Sequence, residues 1–235
     1  MNEALIVMAK APRAGEVKTR LAGALDPEEA RDLYVAFLND TFALMEDVRN
    51  ERDNLALGIC YTPEGEVEAF EEVEREGSLM ILQRGENLGE RLTNCFVDLF
   101  ALGFESVVVI GADGPTLPGE HVFDAFECFE ADEDVVVGPT EDGGYYLIGM
   151  RKLHKRIFED IPWSSAGVLN TTVERAREAG LNLVLLPEWR DVDTPEDFER
   201  LKRELAETRD GANFTRRFLK ELAKSRRQNQ KFGEP

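Results

Sequence analysis

Cysteine and histidine are scarce in this chain: Cys60, Cys95 and Cys128, with His121 and His154, are all there are in 235 residues. The cysteines are odd in number, far apart and set among apolar residues, which excludes a disulfide framework or a zinc site and fits reduced core thiols. The two histidines are equally solitary. No stretch approaches the apolar length of a membrane span, and the first residues lack the basic start and apolar run of a secretion signal, so a cytoplasmic protein is expected. Positive charge is also short, with 28 Lys and Arg against 47 Asp and Glu and a net charge of −19. Such a surface repels a polyanion, so general nucleic-acid binding is excluded. A free nucleotide is not, because a metal ion and a few local cations can offset its charge.

There are enough hydrophobic residues, 43% of the chain, for one substantial core. Runs rich in Val, Ile and Leu at Ala4–Met8, Leu55–Tyr61, Leu79–Gln83, Ser106–Ile110, Asp134–Val137, Tyr145–Met150 and Leu181–Leu186 read as strands. They alternate with helical periods starting at Asp26, after Pro63, near Leu88, at Glu120, at Ala166 and at Thr194. That alternation predicts an α/β protein with a mostly parallel central sheet and helices on both faces. No internal repeat or low-complexity linker interrupts residues 1–208, which read as one domain. From Arg209 the balance reverses, with 8 Lys and Arg against 3 acids. Phe214, Phe218, Leu219 and Leu222 recur there at helical spacing, so residues 209–235 read as a basic C-terminal helix and tail. This segment either packs on the acidic body or contacts a second subunit of a homo-oligomer.

In such sheets ligands gather beyond the carboxyl ends of the strands, which directs attention to a few loops. After the first strand, Lys10, Arg13, Lys18 and Arg20 surround Gly15, a cationic turn suited to diphosphate oxygens but lacking the spacing of a P-loop. After the third, Gln83, Gly89 and Arg91 either read a base or sugar or form an ordinary turn and helix start. The fourth strand delivers Asp113 in Gly111-Ala112-Asp113-Gly114-Pro115; an acid there is costly to desolvate unless it meets a cation, so Asp113 is the best single candidate for a metal ligand. In Thr140-Glu141-Asp142-Gly143-Gly144-Tyr145, the Asp-Gly-Gly is hairpin grammar. Thr140, Glu141, Asp142 and Tyr145, with Trp163 beyond, suit hydroxyl groups and flat sugar faces, and Asp142 is placed to orient or deprotonate an acceptor. In Asp191-Val192-Asp193-Thr194-Pro195-Glu196-Asp197, helix capping accounts for Thr194, Pro195 and Asp197 but gives Asp191 and Asp193 nothing to do. Asp113 and Asp193 together read as a metal–diphosphate site, with Asp191 as a further ligand or support.

The runs K-A-P-R-A-G-E-V-K-T-R-L, G-A-D-G-P-T-L-P, G-P-T-E-D-G-G-Y-Y-L-I-G, P-W-S-S and D-V-D-T-P-E-D, in that order over about residues 4–205, resemble the bacterial glycosyltransferase-A-type family of nucleotide-diphospho-sugar transferases, also labelled an arsenosugar-biosynthesis glycosyltransferase family. A more distant similarity links the acidic elements to nucleotidyltransferases acting on molybdopterin, phospholactate or sugar phosphates. The resemblance implies a Rossmann-like glycosyltransferase-A fold, Mg²⁺ or Mn²⁺ held by Asp113 and Asp193, a nucleotide-sugar donor and a small-molecule acceptor. The alternatives are nucleotidyl transfer from a nucleoside triphosphate with pyrophosphate release, and a non-catalytic nucleotide-binding module.

Overall fold

In the computed structural model, which describes residues 2–73 and 75–232, seven strands form one sheet: β1 (Glu3–Lys10), β2 (Leu55–Thr62), β3 (Leu79–Leu82), β4 (Ser106–Ile110), β5 (Val135–Pro139), β6 (Tyr145–Met150) and β7 (Leu183–Leu185). Their spatial order is β3-β2-β1-β4-β6-β5-β7. All pairings are parallel except those of β6, which runs antiparallel to both β4 and β5. The Asp-Gly-Gly turn is therefore a hairpin, as its sequence requires, and it reverses the chain so that the start of β6 lies at the same edge as the ends of the other strands. This is the expected mostly parallel α/β architecture.

Strand residues alternate between two cores, as the two-residue repeat of a strand dictates. Leu5, Val7, Val108 and Ile110 face a layer made by α1 (Pro27–Glu51) and α3 (Gly119–Glu130), with Tyr34, Leu38, Phe42, Val122 and Phe126. Ala4, Ile6, Val107 and Val109 face Leu92, Cys95, Phe96 and Leu99 of α2 (Leu88–Ala101) and Ala176 of α4 (Val168–Glu178). Cys60 and Cys95 are both buried, free thiols in this second layer. A third cluster joins Leu33 and Phe37 of α1 to Phe198, Leu201 and Leu205 of α5 (Pro195–Glu207), and Phe218, Leu219 and Leu222 of α6 (Asn213–Phe232) pack against it. The first turn of α6 is held by buried Asp40, whose carboxylate accepts from Phe214 N at 2.9 Å, Thr215 N at 2.8 Å and Thr215 Oγ1 at 2.6 Å. Arg226 on α6 bridges to Glu29 on α1 at 2.9 Å. Among the described residues, no helix is long and apolar enough to cross a membrane.

The helix expected after Pro63 does not form; Val67–Phe70 makes one short 3₁₀ turn. Seven glutamates lie between Glu64 and Glu76, so a continuous helix would stack like charges one turn apart, and Gly65 opens the segment at φ +82°. The last strand is shorter than its apolar run because only Leu183–Leu185 pairs with β5, at the sheet edge.

Candidate functional site

The site is built where the chain recrosses the carboxyl edge of the sheet after β7. Trp189 N donates to Pro139 O at 2.9 Å, Glu141 N to Trp189 O at 3.2 Å, and Val192 N to Asp113 O at 2.9 Å, so the segment is stitched first to the end of β5 and then to the loop after β4. Val192 is buried in the third cluster, which fixes the register of the two acids that flank it. Immediately afterwards Thr194 caps α5: its side chain accepts from Asp197 N at 3.2 Å, and Asp197 Oδ2 accepts from Thr194 N at 2.9 Å and Asp193 N at 3.2 Å. Capping thus holds the backbone of Asp193 rigidly beside Asp113, joining two segments eighty residues apart.

Between the two acids sits Lys18. Its ammonium donates to Asp113 Oδ1 at 2.6 Å, Asp193 Oδ1 at 3.0 Å and Val192 O at 2.7 Å, and its side chain is 4% exposed. An ammonium has three N–H donors, and all three are engaged. The carboxylates thus draw Lys18 inward, rather than leaving it free beside the cavity as the diphosphate-binding role read from the loop would have it. Burial alone would lower its pKa, but Asp113 and Asp193 more than offset this and hold it above the ordinary lysine value. Its backbone is left-handed at φ 48°, a strained state for a residue with a side chain and one that recurs at functional sites.

Two cavities flank this clamp. The first, about 230 Å³, is lined by Lys10, Lys18, Arg20, Tyr34, Asp113 and Asp193 among others. Tyr34 was legible in the sequence only as part of a buried helical stripe; its hydroxyl accepts from Lys10 N at 3.1 Å, and burial together with the charge of Asp113 raises its pKa. The second, about 190 Å³, shares Arg20 and Asp193 and adds Thr140, Asp142, Asp191 and Arg200. Asp142 Oδ1 accepts from Thr140 Oγ1 at 2.6 Å and from Gly144 N at 3.1 Å. Gly143 takes φ +88°, and a Cβ there would run into the Ala166 backbone, so the hairpin tip requires glycine. Glu141 pairs with Arg200 at 3.1 Å. Burial, then the charges of Asp113 and Asp193, push the pKa of Asp191 up to about 7, with Lys18 opposing them.

Among the described residues no three His, Cys, Asp or Glu side chains are grouped to hold a metal, so Asp191 does not join Asp113 and Asp193 as a third ligand, one of the two roles the sequence left open to it. Lys18 lies between Asp113 and Asp193, and Asp191 faces the second cavity. The pair itself does fit: a small hard cation is commonly held by one or two carboxylates and completes its shell with substrate phosphates and water. Asp113 and Asp193 both grip one cation already, the Lys18 ammonium, and keep 41% and 37% of their side-chain surface open.

Several other expected residues lie elsewhere. Arg13 is turned away to Glu66. Lys10 pairs with Glu16 at 3.3 Å but still lines the first cavity; Arg20, 69% exposed and 3.5 Å from Asp193, stands on the ridge between the two. Gln83 Nε2 donates to Ala9 O at 3.1 Å and Cys60 O at 2.7 Å, binding strand ends rather than facing a ligand. Arg91 closes its own loop on Gly85 O at 3.1 Å, and Gly89 packs under Trp163 in a separate cavity of about 470 Å³. Tyr145 packs edge-on against Trp163, and its hydroxyl is buried, with burial raising its pKa. The alternation along β6 explains this: Tyr145 faces the α2 layer and Tyr146 the α3 layer, where its hydroxyl meets His121 Nδ1 at 3.1 Å and Pro187 O at 3.0 Å. His121 is thus not solitary in space.

Known proteins share this architecture. A crystal structure from Desulfovibrio desulfuricans G20, described as that of a "putative nucleotide-diphospho-sugar transferase", is 33% identical and superposes with a TM-score of 0.84 over 97% of each chain. The phosphoenolpyruvate guanylyltransferase of Sphaerobacter thermophilus is 26% identical over 83% of this chain and 91% of its own. A cytidylyltransferase from Leptospira borgpetersenii, 13% identical with a TM-score of 0.56 over 96% of this chain and 95% of its own, shares the fold. Residues 44–165 match the family described as uncharacterized proteins conserved in bacteria, DUF2064, and the chain belongs to that family.

Proposed function

We propose that the protein is a metal-dependent transferase that moves a glycosyl group from a nucleotide-diphospho-sugar to a hydroxyl of a small acceptor. The observation that carries this reading is the convergence of Asp113 and Asp193 on a single cation position at the wall of a cavity also lined by Lys10 and Arg20. Asp113 and Asp193 would hold Mg²⁺ or Mn²⁺ against the diphosphate. When bound, the metal supplies positive charge to the departing phosphate oxygens. Lys10 and Arg20 border the same cavity and add to that stabilisation as the leaving nucleoside diphosphate gains charge.

The second cavity takes the acceptor. Thr140 and Gly144 fix Asp142 through Oδ1, leaving its other oxygen to receive the acceptor's hydroxyl proton as the new bond to the anomeric carbon forms and the bond to the diphosphate breaks. The lining of this cavity also bears on what enters it. Glu141, Asp142, Asp191, Asp193 and Asp197 outnumber Arg20, Arg190 and Arg200, and each arginine is within 3.5 Å of a carboxylate. A neutral polyol is accommodated there more readily than a phosphorylated acceptor. The Desulfovibrio relative supports the same reading.

Nucleotidyl transfer is the second reading, favoured by the guanylyltransferase relative. Product analysis separates them. Incubation with Mn²⁺ and a panel of nucleotide sugars and acceptors is expected to release nucleoside diphosphate. Pyrophosphate released from a nucleoside triphosphate, with none of the sugar donors consumed, would sink the glycosyl reading in favour of the second.

A further inference from the structure

Lys18 has no counterpart in a site whose acids are arranged only to receive a metal. Its ammonium bridges one oxygen of each acid, Asp113 Oδ1 and Asp193 Oδ1, so a divalent ion held by the same pair would sit close to that positive charge, and Val192 O takes its third proton. The position is supported from another side as well: the ammonium lies 5.4 Å from the Phe37 ring centroid. One cavity wall therefore carries a built-in cation.

We infer that Lys18 is the resident counter-cation of the Asp113–Asp193 pair and keeps a divalent metal out until a nucleotide polyphosphate arrives. This rests on the pair being the metal site. Two cations on one pair of carboxylates repel each other at close range, so a free metal ion binds well there only once a fully hydrogen-bonded ammonium has moved aside. A polyphosphate changes the balance. Its oxygens complete the metal's shell and give the displaced ammonium a new anionic partner, which a lysine on a flexible four-carbon stem can follow. Metal and nucleotide would then bind as one unit, and the apo protein would not carry a metal that holds the carboxylates in the absence of donor.

Mn²⁺ binding read by electron paramagnetic resonance tests this without any turnover. In the wild type, Mn²⁺ alone is expected to bind at least about tenfold more weakly than Mn²⁺ with a nucleoside diphosphate present. Lys18→Met keeps the apolar stem and removes the charge. It is expected to bind Mn²⁺ alone at least about tenfold more tightly than the wild type, with the gain from nucleotide shrinking in proportion. Unchanged nucleotide-free affinity in Lys18→Met, with nucleotide coupling intact in the wild type, would overturn the inference while leaving the metal site standing. Absence of Mn²⁺ binding under every condition would remove both. Should Lys18→Met fail to fold, Lys18→Gln carries the same comparison, and tight Mn²⁺ binding by the nucleotide-free wild type is by itself enough to overturn the proposal.

Discussion

The two edges of the sheet each hold a buried cation among carboxylates, one pinned bidentately against aromatic rings and the other on the wall of a cavity. At the amino edge, Arg52 binds Glu3 through Nε at 2.8 Å and Nη2 at 3.2 Å, reaches Glu127 and Glu130 at 2.8 Å each, and lies over the Phe123 and Phe126 rings. Glu3 is also bonded by Ser106 at 3.2 Å, across the β1–β4 pairing. The planar fork and the carboxylate fit bidentately, with side chains only 8% and 5% exposed. At the carboxyl edge the cation is a compact ammonium whose partners, Asp113 and Asp193, face a cavity. Both clusters carry more negative than positive charge. A bidentate, buried network holds the fold together, whereas an ammonium between two partly open carboxylates is what the proposed metal site would have to exchange.

Substitutions can break this contrast. Asp113→Ala and Asp193→Ala are each expected to lower metal-dependent turnover about 10³-fold, measured as nucleoside diphosphate release, because each removes one of the two groups placed to hold the metal. Their melting temperatures should fall less than that of Glu3→Ala, since Asp113 and Asp193 are more than a third exposed whereas Glu3 is buried and also accepts from Ser106. Glu3→Ala leaves Arg52 buried without its bidentate partner. It should cost about 3 kcal/mol and lower the melting temperature by roughly 6–12 °C in calorimetry, with activity per folded molecule preserved. A large loss of activity in Glu3→Ala with the fold intact would erase the distinction between the two edges.

Asp142→Asn should slow turnover about a hundredfold with Mn²⁺ affinity unchanged, which separates acceptor activation in the second cavity from metal binding in the first. Arg91→Ala, which removes a side-chain bond to its own loop at Gly85 O, should change the KM for the donor less than about twofold and stability by less than about 0.5 kcal/mol. A substantial rise in that KM would extend the binding site into the loop after β3.

Much of the fold could be read directly from the sequence. Val107-Val108-Val109-Ile110 is apolar on both faces and is a central strand; Thr194-Pro195-Glu196-Asp197 spells a capping box and forms one. Local grammar failed where charge or pairing partners decided, as in the glutamate-rich segment after Pro63. The pairing of Asp113 with Asp193 could be proposed because both acids lie beyond strand-forming runs and neither is explained by capping alone. The partner of that pair could not. A lysine in a basic turn reads as an anion binder, and only the crossing of the chain after β7 shows that Lys18 meets two carboxylates first. Tyr34 and His121 were equally hidden: a helical stripe marks Tyr34 as core and His121 reads as solitary, and only the fold reveals their polar partners.

A crystal of the wild type grown with Mn²⁺ and a nucleoside diphosphate, with diffraction measured at the manganese absorption edge, tests the central claim most directly. The account predicts an anomalous peak contacting carboxylate oxygens of both Asp113 and Asp193, with phosphate oxygens beside it and Lys18 displaced from between them. A bound nucleotide whose metal touches neither acid, with Lys18 still holding both, would contradict it.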